Sequence, residues 1–172
     1  LYRAELDRLE IEYSGAGIKV DKNMMTTVRD IYAAGDVTGG MMLAHRAARQ
    51  AKAAVGHMYG GIGNIYNENF IPSVVYSHPQ IARVGYTEER ARDEGLSVEV
   101  VRSPYSANII ARTELIGQGF VKAVFHRDKI IGAVILGDHA ADLISGLALA
   151  VAGQLTRKQL RSWVIPHPTL SE

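Results

Sequence analysis

The sequence has 172 residues, of which 47% are hydrophobic and 22% charged, so it can bury a core and carries no signature of disorder. Nineteen basic and eighteen acidic residues are scattered and leave a net charge of +1, which argues against nucleic acid or an anionic membrane as a partner. No apolar run reaches the roughly 20 residues of a membrane span, and the first residues lack a signal-peptide layout, so we expect a cytoplasmic protein. Cysteine is absent, which excludes disulfides, thiolate metal sites and thiol chemistry by this chain alone.

The first part of the chain contains a segment that we predict to be a strand, a loop and a helix. Residues 31–34 form a short apolar run, Gly35 and Asp36 follow it, and the Ala-rich stretch 42–59 has the composition of a helix. A polar, Gly-rich stretch from Gly60 to Asn69 then marks a seam. We therefore expect two domains, 1–67 and 68–172.

The second part is predicted to be an α+β domain, an antiparallel sheet with helices on one face. Thr87 is the expected N-cap of a helix over 88–94, and Thr156 with Gln159 forms a capping-box pattern before a helix over 157–163. The strands are predicted over 71–76, 81–86, 98–102, 120–126 and 130–136, with a tight turn at 127–129. A helix over 140–152 has an apolar face formed by Ala141, Ile144, Leu147, Ala148 and Val151.

Gly35 and Asp36 are the first candidates for a cofactor site. Glycine lets a ligand approach the backbone, aspartate accepts hydrogen bonds from hydroxyls such as those of ribose or ribitol, and the following helix would aim N–H groups at an electron-rich group. The same pair is equally typical of a tight turn with a capping aspartate. The pattern by itself leaves both readings open.

The polar tail after the last helix holds the second candidates. His167 precedes Glu172 by five residues, and Pro166 and Pro168 restrict the path of the chain between the helix and Glu172. A carboxylate beside a histidine fixes the tautomer of the ring and raises its basicity for proton transfer. For an arbitrary histidine and glutamate near a chain end, a solvated terminus is the commoner outcome.

Four motifs in one order resemble those of the dihydrolipoamide dehydrogenases, a family of FAD-dependent disulfide oxidoreductases. The match runs from about Gly17 to the last residue, so the resemblance implies the carboxyl-terminal portion of such an enzyme. The motifs are Tyr32-Ala33-Ala34-Gly35-Asp36-Val37, Met42-Leu43-Ala44-His45-Arg46-Ala47, Ile71-Pro72-Ser73-Val74-Val75-Tyr76 with His78-Pro79, and His167-Pro168-Thr169-Leu170-Ser171-Glu172.

For the first part, the resemblance implies the last strand, loop and helix of an FAD-binding α/β domain. Asp36 would bind the flavin ribitol, and this role also accounts for Gly35. The backbone N–H groups at the start of the helix would face the pyrimidine edge of the flavin, where negative charge gathers on reduction. These helix-start residues are Met42, Leu43, Ala44 and His45.

For the second part, the resemblance implies a dimerisation domain whose tail reaches the disulfide of the opposite subunit. His167 would be the acid-base and Glu172 its orienting partner. Dihydrolipoamide would give a thiol proton to His167, its thiolate would reduce the enzyme disulfide, and electrons would pass through FAD to NAD. The implied partners are a second copy of the chain and dihydrolipoamide or the lipoyl domain of a 2-oxoacid dehydrogenase complex.

The sequence also departs from the family pattern. The ADP-binding fingerprint, the redox cysteine pair and the nicotinamide-binding fingerprint are missing, so we expect this chain alone to be inactive and to hold FAD and NAD weakly or not at all. Gln50-Ala51 stands where Glu-Gly is common, and Ser145-Gly146 where an acidic residue is frequent.

The sequence leaves two alternatives open: another FAD-dependent disulfide reductase, similar to glutathione reductase, and a non-catalytic dimerisation module. A dimerisation module has no chemical need for His167 and Glu172 together, so the tail favours an enzyme. No three of the six histidines have metal-ligand spacing, and we expect no metal.

Overall fold

The computed structural model describes residues 3–60, 66–116 and 118–172, and the chain divides into two units, Leu1–Asn67 and Glu68–Glu172. Residues 61–65, which belong to the predicted seam, lie outside the described residues.

In the first unit, the longest element is helix α2, Ala44–Met58. Its buried residues, Arg46, Gln50, Ala53 and Ala54, recur at helical spacing and form one face of the helix. Ala53 and Ala54 pack with Met24, Val20, Tyr32 and Tyr66 in a small core. The other elements are α1 (Arg3–Arg8), the hairpin strands β1 (Tyr13–Ser14) and β2 (Gly17–Ile18), and a 3₁₀ turn at Asp36–Thr38.

The predicted strand over residues 31–34 is wrong. In this segment a single antiparallel bridge joins Tyr32 to Met25. The backbone hydrogen bonds from Ala33 N–H to the Met24 carbonyl and from Thr26 N–H to the Ile31 carbonyl accompany that bridge. An apolar run becomes a strand only where a neighbouring segment pairs with it over several residues, and one bridge does not make a ladder.

The second unit is built on a five-stranded sheet in the order β3-β4-β7-β6-β5, with every neighbouring pair antiparallel. The strands are β3 (Ser73–Val75), β4 (Ile81–Gly85), β5 (Glu99–Pro104), β6 (Phe120–His126) and β7 (Lys129–Leu136). Arg127 and Asp128 connect β6 to β7 with positive φ angles of 48° and 66°, as a two-residue hairpin turn requires. The predicted α+β class, an antiparallel sheet with helices, is confirmed.

Helices cover this sheet and close its core. Helix α5, Ala140–Ala152, packs on β4 and β7, and its Ile144 and Val151 meet Ala82, Val84 and Ile135 of the sheet. The shorter helices are α3 (Glu88–Asp93), α4 (Ile109–Thr113) and α6 (Arg157–Arg161). Two predicted caps are confirmed: Thr87 accepts from the Arg90 N–H at 3.1 Å, and Thr156 with Gln159 forms the complete capping box.

Candidate functional site

The tail that follows α6 is held against the second unit at three points. The ring of Trp163 lies over Gly146 of α5, where any side chain larger than hydrogen would meet it. Leu170 packs on the core, and Asn108, at the start of α4, donates from its side-chain amide to the Thr169 carbonyl at 3.0 Å. The tail therefore has a defined path although Val164 and His167 are largely exposed.

This path brings together the two tail residues singled out from the sequence. Nδ1 of His167 lies 3.0 Å from both carboxylate oxygens of Glu172. A carboxylate can only accept, so Nδ1 carries the proton and Nε2 of the neutral ring is left as an acceptor. The Thr169 backbone N–H also donates to Glu172 Oε2, at 3.1 Å. This arrangement orients the imidazole, whose side chain is 70% exposed.

The electrostatics of Glu172 follow from these contacts. The Thr169 N–H and then the His167 side chain lower the pKa of the Glu172 carboxyl from its usual 4.5. Both contacts stabilise the charged form, which is why the shift is downward. Glu172 is therefore ionised at neutral pH and provides a negative charge beside the imidazole.

The pair opens onto a largely apolar cleft of about 740 Å³ within the second unit. Its walls come from the β6 and β7 side of the sheet, from α5 and from the tail itself, and include Val121, Leu147 and Trp163. A cleft of this size can take a small organic group, and its apolar walls would strengthen electrostatic interactions made inside it.

In the first unit, Gly35 occupies a position that demands glycine. Its φ is +84°, and a Cβ would come within 3.3 Å of the Ala47 side chain. Its backbone N–H donates to Gln50 Oε1 at 2.7 Å, and its carbonyl accepts from the Thr38 hydroxyl at 2.8 Å. Gln50 is 1% exposed, so the side chain that holds this turn in place is itself buried.

Gln50 is a supporting residue that the motif analysis did not identify as such. In the sequence it stands only as a departure from a common Glu, yet its side-chain amide accepts a hydrogen bond from the Gly35 N–H and bonds to the Thr38 hydroxyl. The signal that could have found it is the helical spacing of Arg46, Gln50 and Ala53, which places a polar residue on the buried face of α2.

The turn leaves Asp36 exposed. In the described part of the chain, its carboxylate has no hydrogen-bond or ion-pair partner. Helix α2 begins nearby in sequence with Leu43 as N-cap, and the Leu43 side chain makes no capping hydrogen bond. Met42 is 72% exposed, Ala44 and His45 are exposed, and Leu43 is partly buried. An unpaired carboxylate and a helix start without a side-chain cap fit a ligand that carries hydroxyls and an electron-rich edge.

The other histidines have structural partners as well, including His139, which lies 4.0 Å from Asp142. The His57 ring lies 2.7 Å from the Tyr32 hydroxyl, His126 contacts the Ser97 carbonyl at 2.8 Å, and His78 lies 3.6 Å from Asp138. The described residues contain no group of three His, Cys, Asp or Glu side chains that could hold a metal ion. None of the described helices is long and apolar enough to cross a membrane.

A tail with a His–Glu pair on an antiparallel α+β unit, preceded by a Gly-Asp turn, is the set of features expected of a disulfide oxidoreductase. Comparison with known proteins supports this class. Residues 71–172 match the dimerisation domain of the pyridine nucleotide-disulphide oxidoreductases, and residues 2–51 match a second model of pyridine nucleotide-disulphide oxidoreductases. The chain belongs to the pyridine nucleotide-disulphide oxidoreductase family.

Similar full-length sequences and structures refine this assignment. Over 97% of its length the chain is 39% identical to the dihydrolipoyl dehydrogenase of Bacillus subtilis and 38% identical to the mitochondrial dihydrolipoyl dehydrogenase of Mus musculus. It covers 36% and 33% of those proteins, so it spans about a third of the length of the curated relatives it matches. The resemblance read from the four motifs is confirmed.

Two solved structures share the fold. LpdA of Mycobacterium tuberculosis matches with a TM-score of 0.90 and 30% identity, over 96% of this chain and 37% of that one. The HOCl-induced flavoprotein disulfide reductase RclA of Escherichia coli matches with a TM-score of 0.82 and 27% identity, over 96% of this chain and 39% of that one.

Proposed function

We propose that this chain serves an FAD-dependent dihydrolipoamide dehydrogenase, in which His167 is the acid-base and Glu172 orients it. The observation that carries the proposal is the contact of both Glu172 oxygens with His167 Nδ1, each at 3.0 Å. Because Glu172 holds the proton on Nδ1, Nε2 is the atom that would take a thiol proton.

The role of the pair follows from the chemistry of thiols. A thiol becomes a nucleophile only when it loses its proton, and its pKa lies above neutral, so a nearby base is needed. His167 would accept that proton at Nε2, and the ionised Glu172 would stabilise the resulting imidazolium. The thiolate would then attack a disulfide that another segment must supply, since this sequence contains no cysteine.

The first unit would hold one side of a flavin. The Asp36 carboxylate would accept hydrogen bonds from ribitol hydroxyls, while Gly35 allows the close approach of the backbone. The residues at the start of α2, Met42 through His45, would present backbone N–H groups to the pyrimidine edge. When bound, FAD supplies the two-electron acceptor that links thiol oxidation to NAD.

The second unit would form a homodimer. Helix α5 buries one face in its own core and yet exposes Leu149 at 75% on another, as expected of a helix that is apolar on more than one side. The match of residues 71–172 to a dimerisation domain supports this arrangement. The lipoyl domain of a 2-oxoacid dehydrogenase complex would be a further partner, from which dihydrolipoamide would reach His167.

A chimera tests the proposal. This chain would replace the matching segment of the Bacillus subtilis relative, and dihydrolipoamide oxidation by NAD would be measured with flavin content as the check on folding. His167→Ala should lower the rate by about 10²–10⁴-fold, the usual contribution of an acid-base group, with flavin retained. His126→Ala is the matched control, because that ring contacts the Ser97 carbonyl and takes no part in the pair. A flavin-loaded His167→Ala chimera with an unchanged rate would refute the role.

A second candidate is a disulfide reductase with a different substrate, and the similarity to RclA favours it. The same chimera distinguishes the two, because the rates with lipoamide and with glutathione disulfide can be compared directly. A preference for glutathione disulfide that the parental Bacillus subtilis enzyme lacks would favour the second candidate.

A further inference from the structure

The side chain of Asn108 joins two distant parts of the second unit. Its Oδ1 accepts from the Ile110 and Ala111 N–H groups at 2.9 and 3.1 Å, which caps the start of α4. Its Nδ2 points the other way and donates to the carbonyls of Thr169 and Leu170, at 3.0 and 3.5 Å. The donors on one side and acceptors on the other allow only one orientation of the amide.

The two carbonyls belong to the turn that builds the His167–Glu172 pair. Thr169 accepts from Asn108 through its carbonyl and donates through its N–H to Glu172 Oε2 at 3.1 Å. Glu172 in turn contacts His167. A continuous path of hydrogen bonds thus runs from the cap of α4 to the imidazole.

We propose that Asn108 is a positioning residue, which clamps the Thr169–Leu170 backbone and so holds Glu172 in place against His167. Its significance for catalysis rests on the proposed acid-base role of the pair. The clamp itself is a property of the fold and is testable separately.

The clamp matters because the His167–Glu172 pair is open to solvent. The His167 side chain is 70% exposed and that of Glu172 is 34% exposed, so solvent competes for the contact between them. Trp163 fixes the chain before the pair, and Leu170 packs its side chain on the core. Only Asn108 is seen to bind the turn's backbone carbonyls from another element of the described chain. An acid-base group must be held in its productive geometry to be effective, and this contact would hold it.

Asn108→Ser separates the clamp from the cap. Serine is a good N-cap, so α4 keeps its first turn, but it lacks the second arm of the amide and adds no charge. Thr87→Ala is the control, because it removes the N-cap of another helix, α3. The Thr87 side chain accepts from the Arg90 N–H and has no bond to the tail. Asn108→Ser loses the bonds to the turn and keeps a helix cap, whereas Thr87→Ala loses a helix cap and leaves the turn untouched.

The measurement is the pKa of the Glu172 carboxyl, followed by carbon NMR in the full 172-residue chain. Asp142 lines the same cleft and would be followed in the same titration, whereas Tyr105, whose pKa burial raises to about 12, stays protonated throughout it. In Asn108→Ser the pKa of Glu172 should rise toward 4.5, because the Thr169 N–H loses its fixed position, while in Thr87→Ala it should not move. An unchanged pKa in a folded Asn108→Ser chain would overturn the proposal.

A second measurement needs no variant. In the unaltered chain, nuclear Overhauser contacts should connect the Asn108 side-chain amide protons with protons of Thr169 and Leu170, and their absence would also overturn the proposal. Neither experiment depends on proton transfer by His167. Failure of the clamp and failure of the proposed function would therefore give different results.

Discussion

Gly132 is a position where a single added methyl group should disrupt the fold that supports the tail. It lies in β7, pairs with Gly85 of β4, and faces the backbone of Tyr86, whose N–H donates to the Ile131 carbonyl at 2.9 Å. A Cβ on Gly132 would lie 2.7 Å from Tyr86 N and 2.8 Å from its carbonyl carbon, and closer still to its carbonyl oxygen. Backbone atoms of a paired strand cannot rotate away as a side chain can.

The expected magnitude follows from two opposing effects. Replacing glycine by alanine usually stabilises a compatible site by about 0.4–1 kcal/mol, because the unfolded chain loses freedom. Overpacking a core costs about 1–3 kcal/mol when side chains can adjust, and more when they cannot. Since the clash at Gly132 involves backbone between central strands, we expect Gly132→Ala to lower the free energy of unfolding by about 3 kcal/mol or more.

Guanidinium unfolding followed by circular dichroism and by the single tryptophan, Trp163, measures this change. Gly146→Ala is the control in the same unit, because its Cβ would meet the tip of the half-exposed Trp163 ring at 2.6 Å, and that ring can move. The helix propensity of alanine contributes about 1 kcal/mol there, so the net effect should stay within about 1 kcal/mol. Equal destabilisation by the two substitutions would refute the argument from backbone contact.

Three further substitutions address the tail and the interface. The folded-state pKa of the Glu172 carboxyl is lowered from 4.5, so its stabilising contribution is complete above pH 4.5 and is lost as the pH falls through the folded-state pKa. The difference in unfolding free energy between the unaltered chain and Glu172→Gln should therefore shrink on acidification. A constant difference from pH 7 to 3 would contradict this. Burying a leucine side chain contributes about 1.5–3 kcal/mol, so Leu149→Asp should weaken self-association by about 10- to 100-fold, as measured by sedimentation equilibrium. An unchanged dimer would exclude this face of α5 from the interface. The Thr169 hydroxyl is buried and has no hydrogen-bond partner among the described residues. Thr169→Val should therefore leave the free energy of unfolding unchanged or raise it by about 1 kcal/mol. A clear fall in the free energy of unfolding would reveal a partner of the hydroxyl.

The sequence by itself determined most of the secondary structure of the second unit. Local signals act within a few residues, and here they were unambiguous: Thr87 and the Thr156–Gln159 pair mark helix starts, and residues 140–152 show the apolar spacing of a helix that the structure reproduces as Ala140–Ala152. The resemblance carried by four motifs added the family. For His167 and Glu172, spacing alone left a solvated terminus as the commoner outcome and the resemblance implied their pairing; the structure brings the two side chains into contact.

Tertiary structure alone decided the features that depend on distant segments. Residues 31–34 have a strand-like composition but pair through one bridge in the described chain, and Gln50 supports the turn at Gly35 only because that turn folds onto α2. Asn108 has the sequence of an ordinary helix cap, and nothing near it in the chain indicates that its amide also binds Thr169 and Leu170. A side-chain amide has an NH₂ that can donate even while its oxygen caps a helix, and only the packing of α4 beside the tail determines which carbonyls this NH₂ can reach.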